Sequence, residues 1–249
     1  ERREPADPRP GRLPPSACIM FGPIFKRRVA ITLGARTAPT TGAGALVQVS
    51  HALPRLARRL AAASRPRVLD LGSVVGGNLQ FFIDLGCKVT ADDLLRPVET
   101  VLPDSAEKAG ADWKEPAAKR LEYSADSFDA VLAWDYLDFL GPGEARDFSR
   151  DLQRIVKPGG IVMAYFTSRE GERREPHRRF RILGADRIEW APLGVSRSLR
   201  HVYQNRDIER MFEGFRTHFA VVMQNGSREI LLEKRAEPRA SARRSPAAG

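Results

Sequence analysis

Apolar and polar positions along this chain follow two periods, one typical of buried strands and the other typical of amphipathic helices. Short apolar runs predict strands covered on both faces at residues 68–71, 88–91, 130–133 and 161–166. Apolar residues three and four positions apart predict helices at residues 50–63, 79–85, 142–155 and 208–215. Because the two kinds of element alternate, the pattern predicts an α/β fold with a mainly parallel sheet.

Two further segments carry the signals of β-hairpins. Residues 219–224 and 228–233 flank Asn225-Gly226, a pair that two-residue hairpin turns prefer. Residues 180–190 alternate in polarity around a turn at residues 184–186. We therefore expect an antiparallel pair after the last helix and a separate hairpin between the last parallel strand and that helix.

The segment 68–78 has the pattern of a strand, a glycine-containing turn and the start of a helix. Gly72 and Gly76 permit backbone angles that other residues resist, and they let a ligand approach the main chain. Asn78 is a suitable N-cap for a helix whose exposed N–H groups favour a polar or negatively charged ligand group. About twenty residues on, a strand ends at Asp92 and Asp93, where a carboxylate can accept hydrogen bonds from both ribose hydroxyls. The sequence therefore predicts a nucleotide-like ligand.

Three motifs distinguish two kinds of nucleotide-binding protein. A dinucleotide fingerprint would place glycine at position 74, where Val74 stands. The sequence more closely resembles class I S-adenosylmethionine-dependent methyltransferases, in its first motif at residues 68–76, a fourth-strand motif at 127–135 and a Pro-Gly-Gly turn at 152–160. That resemblance implies a Rossmann-like, doubly wound sheet of about seven strands that ends in an antiparallel hairpin.

The resemblance also implies S-adenosyl-L-methionine as the cofactor and assigns residues to it. The methionine end is expected on Asp70, Gly72, Ser73 and Gly76, with Trp134 as a wall. Asp93 is expected to bind the ribose because it precedes the apolar Leu94, with Asp92 as the alternative, and Leu94 is expected beside the adenine. The place of the family's adenine-binding acid holds alanines here, which leaves Asp112, Glu122 and Asp126 as substitutes.

The acceptor side is less sharply defined by the sequence. Asp135, Tyr136 and His201 are candidate catalytic residues, and Tyr136 is equally suited to the apolar face of the next segment. Residues 167–204 follow the fifth strand and are rich in arginine, so they are expected to cap the acceptor and to favour an anionic small molecule. The alternative is a surface excursion whose Arg and Glu side chains pair with one another.

Composition locates the charge at the ends of the chain. Of a net charge of +10, residues 1–28 contribute +4 and residues 233–249 contribute +3. Residues 1–35 are therefore expected to form a basic tail and a lid over the cleft, residues 36–235 the domain, and residues 236–249 a disordered basic tail. Two cysteines make no disulfide framework or zinc motif, which predicts a cytoplasmic protein without a metal.

Two other functions remain open on the sequence alone. Val74 and the missing adenine acid are also compatible with a methyltransferase-like module that binds a partner or cofactor without catalysis. The cationic tails are compatible with weak nucleic-acid contact and an RNA methyltransferase. The oligomeric state is not predicted, and the first residue is not methionine, so Met20 is a candidate start.

Overall fold

The computed structural model describes residues 20–21, 44–94, 120–168, 174–198, 201–223 and 225–236. The strands in chain order are β1 (Met20–Phe21), β2 (Leu46–Val49), β3 (Arg67–Asp70), β4 (Lys88–Ala91), β5 (Phe128–Trp134), β6 (Val156–Thr167), β7 (Arg174–Ile182), β8 (Arg187–Ser198), β9 (Phe215–Val222) and β10 (Ser227–Lys234). The α-helices are α1 (Ala52–Ala61), α2 (Gly76–Asp84), α3 (Pro142–Ile155) and α4 (Asn205–Met211), and Tyr136–Phe139 forms a 3₁₀ turn.

The main sheet has the order β1, β4, β3, β5, β6, β10, β9. Strands β1 to β6 within it pair in parallel, and β10 pairs antiparallel with both β6 and β9. The predicted fold class is confirmed: an α/β sheet of seven strands that carries an antiparallel hairpin on one side.

One edge of the sheet differs from the sequence-based expectation. Met20–Phe21, inside the segment predicted to be a tail and lid, pairs with Thr90 and Ala91 of β4. The sequence also predicts a helix and a weak third strand within residues 96–120, and residues 95–119 lie outside the described residues. The dipeptide at 20–21 was missed because two apolar residues have no readable period.

The predicted hairpin between the fifth strand and the last helix is present and belongs to a second sheet. Strands β7 and β8 pair antiparallel, with Ile182 opposite Ile188 around the expected turn. Strand β2 pairs with the other side of β8 to give the order β2, β8, β7. The inserted segment is thus joined to the chain that precedes α1.

Helix bounds follow the predicted pattern closely, but the predicted N-cap of α2 is wrong. Helix α2 begins at Gly76, so Asn78 lies inside its first turn and does not cap it. Helix α4 begins at Asn205 after Gln204, and Asp207 accepts a hydrogen bond from the Gln204 N–H at 3.0 Å. The Asp207 contact is that of a capping box, whereas the Asn78 side chain bonds to another part of the chain.

A buried carboxylate fixes α1 on the sheet. Glu229 of β10 is fully buried and accepts hydrogen bonds from the backbone N–H groups of His51 (2.7 Å) and Ala52 (3.1 Å). The hydroxyl of Tyr165 on β6 donates to its other oxygen. The negative charge thus lies at the amino end of α1, where the helix dipole favours it.

Apolar clusters cover both faces of the main sheet. One face packs against α3 and α4, and the other packs against α1, α2 and the β7–β8 hairpin. Within the described residues, no helix is long and apolar enough to cross a membrane.

Candidate cofactor site

The carboxyl ends of three neighbouring strands bring the predicted cofactor residues to one edge of the sheet. Asp70 ends β3, and its register partners are Ala91 of β4 and Leu132 of β5. Parallel pairing places Asp92 and Trp134 at the same edge, which is where ligands bind in open α/β sheets.

Trp134 turns back across this edge and contacts the glycine turn. Its backbone has φ = 48°, and its indole N–H donates to Asp70 Oδ1 at 2.6 Å. The indole stacks on Phe180 of β7 with ring centroids 4.9 Å apart and on Tyr165 with centroids 6.3 Å apart. The side chain is therefore held by a hydrogen bond at its edge and by rings on its face.

Gly72 is required by this arrangement. A Cβ placed on Gly72 would lie 2.5 Å from Cδ1 and 2.6 Å from Nε1 of Trp134, closer than real Cβ atoms approach. Glycine at this position lets the indole lie directly on the backbone. The structure therefore covers the Gly72 part of the turn with Trp134, whereas the sequence pattern had predicted a ligand there.

Asp70 is buried beside the indole and is unusually basic. Burial raises its pKa from 3.8 to about 6, although hydrogen bonds from Trp134, the Gly72 N–H and Asn78 lower it. The nearby carboxylate of Asp93 makes a smaller upward contribution to the same shift. Asp70 thus acts here as a hydrogen-bond acceptor for the turn and the indole.

The second half of the turn fits a polar ligand. Gly76 has no atom within 4 Å of an added Cβ, and Ser73 Oγ is buried without a hydrogen-bond partner among the described residues. Val74 stands where the expected motif has its middle glycine. It is 38% exposed, so its side chain does not fill the ligand space beside the turn. The unsatisfied hydroxyl of Ser73 and the open backbone at Gly76 are suited to the polar methionine end of S-adenosylmethionine.

The two acids at the tip of β4 have different surroundings. Asp92 is 3% exposed and accepts a hydrogen bond from the Tyr123 hydroxyl at 2.9 Å. Asp93 is half-buried and close enough to Asp70 to affect its pKa. Leu94 is buried, and its N–H donates to the carbonyl of Leu71. Asp93 is therefore the more accessible of the two acids.

The three candidate acids for adenine have different positions in the chain and different surroundings. Asp112 lies outside the described residues. Glu122 is exposed, and Asp126 precedes β5, where its Oδ1 accepts a hydrogen bond from Lys234 at 2.7 Å. Asp126 is thus at the opposite, amino edge of the sheet.

The three catalytic candidates are not gathered into one group. Asp135 directly follows Trp134 and is 2% exposed. Tyr136 is buried with its ring against Phe148, as the apolar alternative predicted. His201 contacts the ring of Tyr203 and lies 3.7 Å from Asp207 of α4, away from the contacts that surround Asp70.

The sequence did not single out the residues that join the inserted hairpin to the turn. The Asn78 side chain donates to the carbonyl of Phe180 (3.0 Å) and accepts from the N–H of Ile182 (2.7 Å). Arg181, between them, reaches the start of α2, where its Cγ lies 3.9 Å from a Cβ placed on Gly77. Arg181 also pairs with Glu189 at 2.9 Å. Alternation had predicted the hairpin, but no local signal showed its partner.

Comparison with known proteins gives a family for this part of the chain. Residues 68–160 match the model of the family described as "Methyltransferase domain". Two curated relatives are malonyl-[acyl-carrier protein] O-methyltransferases. The protein of Enterobacter lignolyticus is 30% identical over 56% of this chain and 53% of its own length, and that of Salmonella typhimurium is 33% identical over 38% and 36%. The chain spans about half or less of these relatives.

Solved structures overlap with most of the chain at low identity. A 1,6-didemethyltoxoflavin-N1-methyltransferase of Burkholderia thailandensis, with S-adenosylhomocysteine bound, is 17% identical over 75% of this chain and 80% of its own, with a TM-score of 0.43. An S-adenosylmethionine-dependent methyltransferase of Clostridium acetobutylicum is 12% identical over 74% and 91%, with a TM-score of 0.47.

The domain match, the strand order and the turn agree on one class. Residues 68–160 match the methyltransferase domain family, and the predicted recognition of a class I, S-adenosylmethionine-dependent methyltransferase is confirmed.

Proposed function

We propose that the protein transfers the methyl group of S-adenosylmethionine to a carboxylate oxygen of a small or carrier-bound acceptor. The observation that carries the acceptor class is Arg181, which projects from the hairpin beside the first turn of α2. One of its terminal nitrogens pairs with Glu189, and its Nε is buried without a partner among the described residues. A guanidinium presents five donors, so Arg181 retains donors for an acceptor carboxylate.

The curated relatives support the same chemistry. Both are named for O-methylation of a malonyl group, which ends in a carboxylate. A carboxylate is already deprotonated at neutral pH, so methyl transfer to it does not require a general base. This agrees with the engagement of Tyr136 in the core and of the Tyr203 hydroxyl with the carbonyl of Leu140.

The bound cofactor would supply a methyl group on a positively charged sulfur, which leaves as neutral S-adenosylhomocysteine when the new O–CH₃ bond forms. In this proposal Ser73 and the backbone at Gly76 hold the methionine end, and Asp93 binds the ribose hydroxyls. Trp134 excludes water from one side of the site. The contribution of these residues is mainly proximity and orientation.

Calorimetry and turnover test the proposal together. The full chain should bind S-adenosylhomocysteine in calorimetry. It should also methylate a malonyl thioester in preference to a butyryl thioester on the same thiol, with the methyl ester detected by mass spectrometry. Cofactor binding without turnover on any carboxylate would favour the non-catalytic module, and no cofactor binding would rule out the enzyme.

Arg181 provides the test of the acceptor class. Arg181→Gln should raise KM for the carboxylate acceptor by about ten- to hundred-fold, because a charge-assisted hydrogen bond contributes about 1.5–3 kcal/mol. Arg181→Lys keeps a positive charge beside Glu189, so its KM should rise less than that of Arg181→Gln. Arg187→Gln, at an exposed position on the same hairpin, is the control. An unchanged KM in Arg181→Gln, with wild-type stability, would contradict the assignment.

A further inference from the structure

A closed circuit of contacts joins the glycine turn to the inserted hairpin. The Trp134 indole donates to Asp70, and its ring stacks on Phe180. The carbonyl of Phe180 accepts from the side chain of Asn78, and the Asn78 amide also acts on the carboxylate of Asp70. Each of the four residues is therefore held by the two beside it in the circuit.

Asn78 is the member that connects elements distant in sequence. It is 1% exposed, and its partners on β7 lie 102 and 104 positions along the chain. Its amide donates to one backbone group of β7 and accepts from the next on the same side, as a neighbouring strand would. An edge strand of the second sheet is thereby joined to the first turn of α2.

Phe180 transmits this connection to the indole. Its ring is 4% exposed and lies parallel to Trp134 within 11°, and Tyr165 stacks on the same ring with centroids 5.2 Å apart. Since Trp134 lies on the backbone of Gly72, a displacement of β7 would free the indole to move off the turn.

We propose that Asn78 is a positioning residue that sets the affinity of the site for its cofactor without touching it, by holding β7 so that Phe180 keeps Trp134 against Gly72. The inference rests on the proposed function only for its affinity measurement. Its spectroscopic measurement is independent of any ligand.

Asn78→Asp and Asn78→Ala form a matched pair for the test. An ionised aspartate at position 78 loses the donor to the Phe180 carbonyl, and it faces the carboxylate of Asp70 from β3 and the backbone of β7. A protonated aspartate regains the donor. Relative to wild type at the same pH, Asn78→Asp should bind S-adenosylhomocysteine about ten-fold more weakly near pH 8. It should recover most of that loss of affinity at about pH 5.5.

Asn78→Ala is the reference, since it has no donor at any pH. Its loss of affinity relative to wild type should change with pH much less than that of Asn78→Asp, and in the variant it reflects only the altered titration of Asp70. Gln80→Ala, on α2 and bonded only to Asp84 at 2.6 Å among the described residues, should match wild type throughout. An identical pH profile for the aspartate and alanine variants would overturn the proposal.

The fluorescence of Trp134 separates failure of this inference from failure of the proposed function. In a Trp113→Phe/Trp190→Phe background, the emission of Trp134 should shift to longer wavelength in Asn78→Ala, and in Asn78→Asp only at high pH. If wild type binds no cofactor but these shifts occur, the circuit stands and the proposed activity fails. An emission that is the same in all three proteins refutes the circuit itself.

Discussion

Replacing Asp70 by asparagine should stabilise the protein increasingly as the pH rises. The amide oxygen of the introduced asparagine can still accept from the Trp134 indole and the Gly72 N–H, so the substitution keeps the contacts and removes a buried charge. Burial raises the pKa of Asp70 from 3.8 to about 6. The wild-type native state thus binds more protons than the unfolded state between these values, and it loses stability as the pH rises through them.

The size of the effect follows from that pKa. Each ten-fold change in the protonation equilibrium corresponds to about 1.4 kcal/mol, so ionising Asp70 in the folded protein costs about 3 kcal/mol. The difference in unfolding free energy between Asp70→Asn and wild type should therefore grow by about 2 kcal/mol from about pH 4 to about pH 7, since part of the full effect falls below about pH 4. Other carboxylates, such as Glu233, are present in both proteins and cancel.

Urea unfolding followed by far-UV circular dichroism measures this difference. Asp84→Asn, at an exposed position on α2, is the matched control and should show a difference that barely changes with pH. A difference that is flat for Asp70→Asn, or that shrinks as the pH rises, would refute the reasoning about the buried carboxylate.

Two further substitutions test other parts of the structure. Gly72→Ala should weaken S-adenosylhomocysteine binding and lower the melting temperature, because its Cβ would lie 2.5 Å from the Trp134 ring, whereas Gly76→Ala should weaken binding with little loss of stability. Equal melting temperatures for the two variants would contradict this. Glu229→Ala should lower the unfolding free energy by about 3 kcal/mol, because it leaves one buried and one partly buried N–H group at the start of α1 and the Tyr165 hydroxyl without their acceptor. A loss below about 1 kcal/mol in urea unfolding would contradict that role.

The sequence predicted elements whose signals are local. Helix α3 begins at Pro142 and ends at Ile155, as its spacing of apolar residues and its amino-terminal proline indicate. The Asn225-Gly226 turn likewise predicts the hairpin of β9 and β10. Period and turn chemistry were sufficient in both cases because neighbouring residues determine the conformation.

The interior of the site could not be predicted because it depends on contacts between residues that are distant in sequence. Asn78 has the residue type of a cap, but its partners belong to β7, and no spacing along the chain reveals them. The bond from Trp134 to Asp70 likewise requires a positive φ at a tryptophan, which sequence patterns do not favour. Trp134 was correctly placed at the sheet edge, but its position over Gly72 could be known only from the fold.

The position of β10 between β6 and β9 has a consequence for biosynthesis. Until residues 227–234 leave the ribosome, β6 has an open edge that can pair with any other chain, and α1 lacks its carboxylate. The seven-stranded sheet therefore cannot be completed while the nascent polypeptide is still short of β10. Chaperone capture, or a pause in translation before this strand, should affect the yield of native protein far more than a delay after it.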